Sequence, residues 1–158
     1  MRVLLIEDEI AKEKDILKHE GKRYFAPDIS EKDIQLDDVT VRHSITSGIA
    51  EIRENDFDYI LLDMSLPIFD TDDAAHFDDN EFETFGGNFV LEELDRIAYH
   101  VKVIVITAFD ILGEGSNRIE LNQVEQGLLE DYPDIFMGTI FYDASSVEWK
   151  NQINEFIR

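Results

Sequence analysis

The sequence contains no cysteine, only three prolines and eight glycines, and 14 basic residues against 36 acidic ones. Without cysteine the chain can form no disulfide, no thiolate metal site and no cysteine nucleophile. The net charge of −22 repels phosphate backbones and anionic lipids, which argues against direct binding to nucleic acid or membranes. No apolar run approaches the ~20 residues of a membrane span, and the run Val3 to Ile6 is too short for a signal peptide. These absences predict a cytoplasmic protein whose partners are basic surfaces or metal cations.

The length of 158 residues and the apolar share of 44% are typical of one globular domain, expected to span residues 1–158. Apolar runs alternate with amphipathic segments along the chain. Because strands separated by helices pair in parallel with right-handed crossovers, we predict an α/β fold with a five-stranded, doubly wound sheet in the flavodoxin-like order 2-1-3-4-5. The strands are expected at residues 2–6, 39–43, 58–62, 101–106 and 138–142, and the helices at 10–19, 45–54, 90–98, 117–130 and 145–157. The first helix should be anchored by Ile10, Ile16 and Leu17. The fourth should follow a loop at 113–116 and turn Leu121, Val124 and Leu128 inward.

Carboxylates follow two of the predicted strands at the point where each strand ends. Glu7 and Asp8 follow the first strand, and Asp63 follows the third. These strands are neighbours in the predicted order, so the three carboxylates should meet at the ligand-binding edge of the sheet. They would repel one another unless a cation were present, and hard oxygen ligands suit Mg²⁺ or Mn²⁺. Such a site supports phosphoryl chemistry, with Asp63 attacking phosphorus and the Thr107 hydroxyl binding a phosphoryl oxygen.

Three short motifs at these strand ends resemble those of the receiver domain of two-component response regulators, the CheY-like family. They are Ile6-Glu7-Asp8-Glu9, Leu62-Asp63-Met64-Ser65-Leu66-Pro67 and Ile106-Thr107-Ala108. The resemblance implies that Asp63 accepts a phosphoryl group from a histidine kinase. It also implies that Thr107 contacts that group and couples it to movement of the fourth helix and fifth strand. The Mg²⁺ ligands it implies are Glu7, Asp8, Asp63 and the backbone carbonyl of Ser65.

The end of the fifth strand departs from the family pattern, which places a lysine there. This chain has Tyr142 or Asp143 at that point, and the next lysine, Lys150, lies about two helical turns further on. The family's switch aromatic is also missing, because Thr139 or Ile140 stands at its position. We therefore expect phosphorylation, or its usual readout, to be altered. Tyr142 is expected to border the phosphate pocket.

A second departure is an acidic insertion at about residues 68–86, beside the predicted site. Seven acids and no basic residue lie between Asp70 and Glu83, with phenylalanines interspersed, and Gly86-Gly87 is expected to close the segment. Loops beside a functional edge often carry function, so this segment could fold over the pocket or dock onto a basic partner. A solvated loop is an equal alternative, and a calcium site lacks the glycine and terminal glutamate of an EF-hand. The histidines show no metal-ligand spacing; they are His19, His43, His76 and His100.

The leading hypothesis is a stand-alone response-regulator receiver, phosphorylated on Asp63 with Mg²⁺ and signalling through protein–protein contacts. Its partners would be a sensor histidine kinase or phosphotransfer protein and an output protein, with a homodimer as a further option. It would not be an enzyme beyond promoting its own phosphorylation and dephosphorylation. One alternative is a pseudo-receiver, a phosphorylation-independent interaction module, which the missing lysine favours. Another is a Mg²⁺-dependent aspartyl phosphatase, but Ser65 stands where such enzymes need a second acid. A protein that mimics DNA is compatible with the charge alone.

Overall fold

A computed structural model describes residues 2–19, 23–25, 39–70, 82–83, 86–108, 111–112 and 119–157. Five parallel strands form its central sheet, in the spatial order β2-β1-β3-β4-β5. They are β1 (Val3–Ile6), β2 (Val39–Arg42), β3 (Tyr59–Leu62), β4 (Lys102–Thr107) and β5 (Phe136–Phe141). The predicted fold class and strand order are therefore confirmed.

Among the residues described, five helices connect and cover these strands. They are α1 (Ile10–Ile16), α2 (Ile45–Glu54), α3 (Gly86–Arg96), α4 (Leu121–Asp131) and α5 (Glu148–Phe156). Ser44 begins α2 with a capping box, in which its hydroxyl accepts a hydrogen bond from the Ser47 amide. Within the described part of the chain, no helix is long and apolar enough to cross a membrane.

The sheet is buried on both faces, as parallel sheets usually are. Alternate residues of β1 and β3 point to opposite faces, as the two-residue period of a strand requires. One face packs on apolar residues of α2, α3 and α4, and the other on those of α1 and α5. Every residue of β1 and β3 is buried. The acids that follow these two strands therefore start from rigid positions.

Helix α1 is shorter than the sequence pattern predicted. It ends at Ile16, and Leu17–His19 forms a short strand that pairs antiparallel with Arg23–Phe25. Leu17 already has extended backbone angles, so its segment makes strand hydrogen bonds and the helix cannot continue. Ile10, expected to anchor the helix, is instead 64% exposed. The other two predicted anchors, Ile16 and Leu17, are both fully buried.

Helix α4 also begins later than predicted, at Leu121 and not at residue 117. Ile119–Glu120 pairs antiparallel with Ile111–Leu112, so the residues just before the helix are extended. The loop expected at residues 113–116 lies outside the described residues. The inward positions of the helix were correctly predicted for Leu128, which is buried, and Val124, which packs against the core.

The acidic insertion leaves and rejoins the core next to the end of β3. Leu66–Pro67 pairs antiparallel with Phe82–Glu83, while residues 71–81 lie outside the described part. The expected closing glycines start α3 instead. A side chain at Gly87 would come within 2.9 Å of the Asp63 carbonyl oxygen, so glycine lets α3 pack directly on the turn after β3.

Candidate functional site

The register of β1 against β3 brings Glu7 and Asp63 together. Ile6 pairs with Leu62, so the next residue of each strand emerges at the same level of the sheet edge. The Asp63 amide donates a hydrogen bond to the Ile6 carbonyl at 3.0 Å, and the Glu7 amide donates to the Arg42 carbonyl at 3.0 Å. Backbone hydrogen bonds between strands thus fix the backbone positions from which the Glu7 and Asp63 side chains extend.

Glu7, Asp8 and Asp63 form one carboxylate cluster. Each contributes an oxygen, and these oxygens lie within 4.8 Å of one another. Glu7 is fully buried, Asp63 is 5% exposed, and Asp8 is half-buried. Asp8 is therefore the member of the cluster that borders solvent.

Burial, together with the nearby charge of Asp63, raises the pKa of two carboxyls of the cluster, Glu7 and Asp8. Burial raises the pKa of Glu7 to about 8; the charge of Asp63 adds to this effect and Lys12 opposes it. Burial likewise raises the pKa of Asp8 to about 6, again with a contribution from Asp63. Ionising these carboxyls is costly unless a bound cation compensates their charge. Hard oxygens at this spacing fit Mg²⁺ or Mn²⁺, which Glu7, Asp8 and Asp63 would hold.

Ser65 and Thr107 also lie at this edge. Ser65 is buried, and its amide points to the Asp63 carboxylate at 3.4 Å. Thr107 is fully buried as the last residue of β4, and its carbonyl accepts a hydrogen bond from the Tyr142 amide at 2.8 Å. Their expected roles, a carbonyl ligand from Ser65 and a phosphoryl contact from Thr107, stay predictions.

A lysine that the sequence analysis missed completes the cluster. Lys12 of α1 is only 1% exposed, and its ammonium forms an ion pair with Glu7. The same Nζ donates to the Ile106 carbonyl at 2.7 Å and lies 3.6 Å from Oδ1 of Asp63. Five of the six buried polar or charged side chains in the described part lie at this edge, so the buried polarity is concentrated here: Glu7, Lys12, Asp63, Ser65 and Thr107.

Solved structures with the same fold are receiver domains. The Francisella response regulator 1452 receiver domain matches with a TM-score of 0.54 and 18% identity, covering 99% of this chain and 98% of that one. The signal receiver domain of a putative Luxo repressor protein from Vibrio parahaemolyticus matches with a TM-score of 0.52 and 17% identity, covering 99% and 96%. The chain has the receiver-domain fold.

Two curated relatives match almost the whole chain in sequence. The chain is similar to the Detocs response regulatory protein DtcB of Enterobacter cloacae, at 26% identity over 154 residues, which cover 97% of this chain and 95% of that protein. It is equally similar to the uncharacterized protein y4jR of Sinorhizobium fredii, at 26% over 153 residues, 97% of this chain and 94% of that one. No family model matches. The predicted resemblance to response-regulator receivers is therefore confirmed.

Tyr142 occupies the end of β5 in this receiver fold. Its side chain is buried, and its hydroxyl donates a short hydrogen bond to Asp15 of α1. Burial, reinforced by that hydrogen bond, raises the pKa of Tyr142. Its ring centroid lies 5.9 Å from Nζ of Lys12. The tyrosine thus ties β5 to α1 and borders the site.

Thr139, one of the two residues at the position of the family's switch aromatic, makes polar contacts with α4. The amide of Thr139 donates to a carboxylate oxygen of Glu125 at 2.9 Å, and the Thr139 hydroxyl makes a short hydrogen bond to the same oxygen. Glu125 belongs to α4, so this contact fastens that helix to β5. Phe141, further along β5, is 43% exposed.

The described histidine side chains lie outside the carboxylate cluster. His43 is half-exposed and its Nε2 lies 3.0 Å from Glu13, while His100 is exposed. The side chain of His19 and all of His76 fall outside the described part. Among the residues described, the carboxylate cluster is the one group with metal-binding spacing.

Proposed function

We propose that the protein is a response-regulator receiver that accepts a phosphoryl group on Asp63 and signals through contacts with other proteins. The observation that carries the proposal is the carboxylate cluster at the end of β1 and β3, in a chain with the receiver-domain fold. A sensor histidine kinase or a phosphotransfer protein would be the donor. The similarity to a response regulatory protein from Enterobacter cloacae supports the same class of function.

The chemistry of the transfer follows from this placement. A carboxylate oxygen of Asp63 attacks phosphorus, and an O–P bond forms as the bond from phosphorus to the donor breaks. The leaving group takes the electron pair: acetyl phosphate releases acetate, and a phosphohistidine releases imidazole, which takes a proton from solvent. A divalent cation held by Glu7, Asp8 and Asp63 would supply the positive charge that balances the phosphoryl oxygens. Thr107, at the end of β4, would donate its hydroxyl to one of those oxygens.

Labelling with acetyl phosphate tests the proposal. With Mg²⁺, intact mass spectrometry should find one phosphoryl adduct on the wild-type protein, and removal of Mg²⁺ with a chelator should abolish it. Asp63→Asn should carry no adduct, because an amide oxygen is a poor nucleophile. Asp58→Asn is the matched control: it changes an exposed aspartate at the opposite end of β3 and should label like wild type.

The opposite result would favour the pseudo-receiver. That hypothesis predicts no adduct on folded wild-type protein from either acetyl phosphate or a phosphohistidine donor, even with Mg²⁺ bound. It also predicts that Asp63→Asn keeps its partner. Labelling of Asp63→Asn to the wild-type extent would place the acceptor elsewhere and contradict the proposed role of Asp63.

A further inference from the structure

The buried ammonium of Lys12, on α1, lies close to Asp63, the proposed phosphoryl acceptor. Lys12 is the one buried basic side chain in the described part of the chain, and it comes from α1, not from β5. We propose that Lys12 is a catalytic residue that binds the phosphoryl group on Asp63. The inference rests on the proposed function and goes beyond it by assigning a residue that the motifs did not contain.

Three elements hold the Lys12 ammonium in place. It contacts Glu7 after β1, the carbonyl of Ile106 on β4 and, at 3.6 Å, the carboxylate of Asp63 after β3. A buried ammonium is costly unless it is paired and hydrogen-bonded. Since all these partners belong to the site edge, the position of the charge is set by the site and not by the packing of α1.

One of the three N–H donors of the Lys12 ammonium is available for a phosphoryl oxygen. An ammonium has three N–H donors. Glu7 and the Ile106 carbonyl engage two of them, and Asp63 lies in reach of the third. Phosphorylation replaces a carboxylate by a group with three strong acceptor oxygens and a charge of about −2. A short movement of Nζ would convert the contact with Asp63 into a charge-assisted hydrogen bond to the phosphoryl group.

The charges of the site balance with Lys12 included. A divalent cation would bind the carboxylates in their deprotonated form, and three carboxylates and one ammonium then leave two negative charges, which the cation would neutralise. A cation bound to Glu7 would also weaken the hold of that carboxylate on Lys12. The ammonium would then be free to turn toward the phosphoryl group without leaving a buried charge unpaired.

Tyr142 connects the end of β5 to the helix that carries Lys12. The tyrosine fills the end of β5, and its ring packs 5.9 Å from Nζ of Lys12. Its hydroxyl bonds Asp15, which lies three residues after Lys12 on the same helix. The aromatic ring thus lies beside Lys12 at the end of β5, and its hydroxyl is bonded to the helix that carries this lysine.

Labelling rates separate a catalytic role from a purely structural one. We expect folded Lys12→Met, saturated with Mg²⁺, to be labelled by acetyl phosphate at least about tenfold more slowly than wild type, because a preorganised charge is lost from the transition state. Lys12→Arg should recover part of the rate. Lys14→Met, which changes an exposed lysine of the same helix, should label like wild type. Near-ultraviolet circular dichroism would confirm that each variant is folded.

Each other outcome overturns a defined part of the account. Wild-type labelling with an unchanged rate in Lys12→Met would overturn the role of Lys12 and leave the proposed function standing. No labelling of wild type would overturn both. If Lys12→Met does not fold, Glu7→Gln is compared with Glu7→Gln/Lys12→Met, both labelled at a measurable rate under saturating Mg²⁺, because the ion pair between Glu7 and Lys12 is then absent from both variants. A slower double variant supports the role of Lys12, and equal rates overturn it.

Discussion

Replacing Lys12 by methionine is expected to lower the free energy of unfolding of the metal-free protein by about 3–5 kcal/mol at about pH 8.5. At that pH the burial-raised pKa of Glu7, about 8, leaves its carboxyl largely ionised. Since Lys12 lowers the pKa of Glu7, the folded variant must either bury this carboxylate unpaired beside Asp63 or hold a proton that the unfolded chain has released; both cost folding free energy. Urea denaturation followed by circular dichroism measures the change. Lys14→Met should differ from wild type by less than about 0.5 kcal/mol, since Lys14 is exposed.

Two further measurements show whether loss of the ion pair causes the lower stability of Lys12→Met: one adds Mg²⁺, and the other adds the substitution Glu7→Gln. Mg²⁺ should restore much of the stability of Lys12→Met, because a bound cation replaces the missing positive charge. Glu7→Gln/Lys12→Met should be more stable than Lys12→Met, because it leaves no unpaired charge at this position. A single variant as stable as wild type without metal would contradict the buried ion pair.

The second large effect concerns pH. Mg²⁺ affinity is expected to fall as the pH is lowered from about 8 toward 6, because protons compete for Glu7, with a pKa of about 8, and Asp8, with a pKa of about 6. Each carboxyl that must lose a proton weakens binding by up to about tenfold per pH unit below its pKa. Titration calorimetry in buffers of different ionisation enthalpy measures both affinity and released protons. Constant affinity over this range would contradict the raised pKa values.

The same raised pKa values fix how the stability of the metal-free protein depends on pH. The folded state holds protons on Glu7 and Asp8 that the unfolded chain has already released above the ordinary pKa values of 4.5 and 3.8. The contribution of these two groups to the free energy of unfolding is fully present below the ordinary pKa values. It is lost as the pH rises through the folded-state pKa values, about 6 for Asp8 and about 8 for Glu7. Thermal unfolding at low ionic strength should therefore show falling stability across this window, and Mg²⁺ should raise the unfolding temperature most at its upper end.

The central sheet could be predicted because its sequence signal is local. Runs such as Tyr59–Leu62 and Lys102–Thr107 are apolar and bounded, and their alternation with amphipathic helices leaves few topologies. The proximity of Glu7 to Asp63 followed from the strand order alone. What failed were the ends of elements, as at Leu17, where the chain leaves α1 for a short antiparallel pair that depends on residues further along.

Lys12 was missed because the family pattern directed attention to the end of β5. A helical signal was nevertheless present. Ile16 is an inward anchor of α1, and the residue four positions earlier, Lys12, lies on the same face. Ile10, six positions before Ile16, does not share that face and is exposed. A lysine placed inward, one turn after an acidic strand end, is a pattern that could have indicated a buried countercharge.

The most direct test of the account is a crystal structure of the wild-type protein with Mg²⁺ and beryllofluoride, a stand-in for the phosphoryl group. We predict beryllium on a carboxylate oxygen of Asp63 and the metal among Glu7, Asp8 and Asp63. Lys12 and Thr107 should each contact a fluorine. Beryllofluoride bound away from Asp63, or Lys12 still held by Glu7 and the Ile106 carbonyl with no fluorine in contact, would contradict the account.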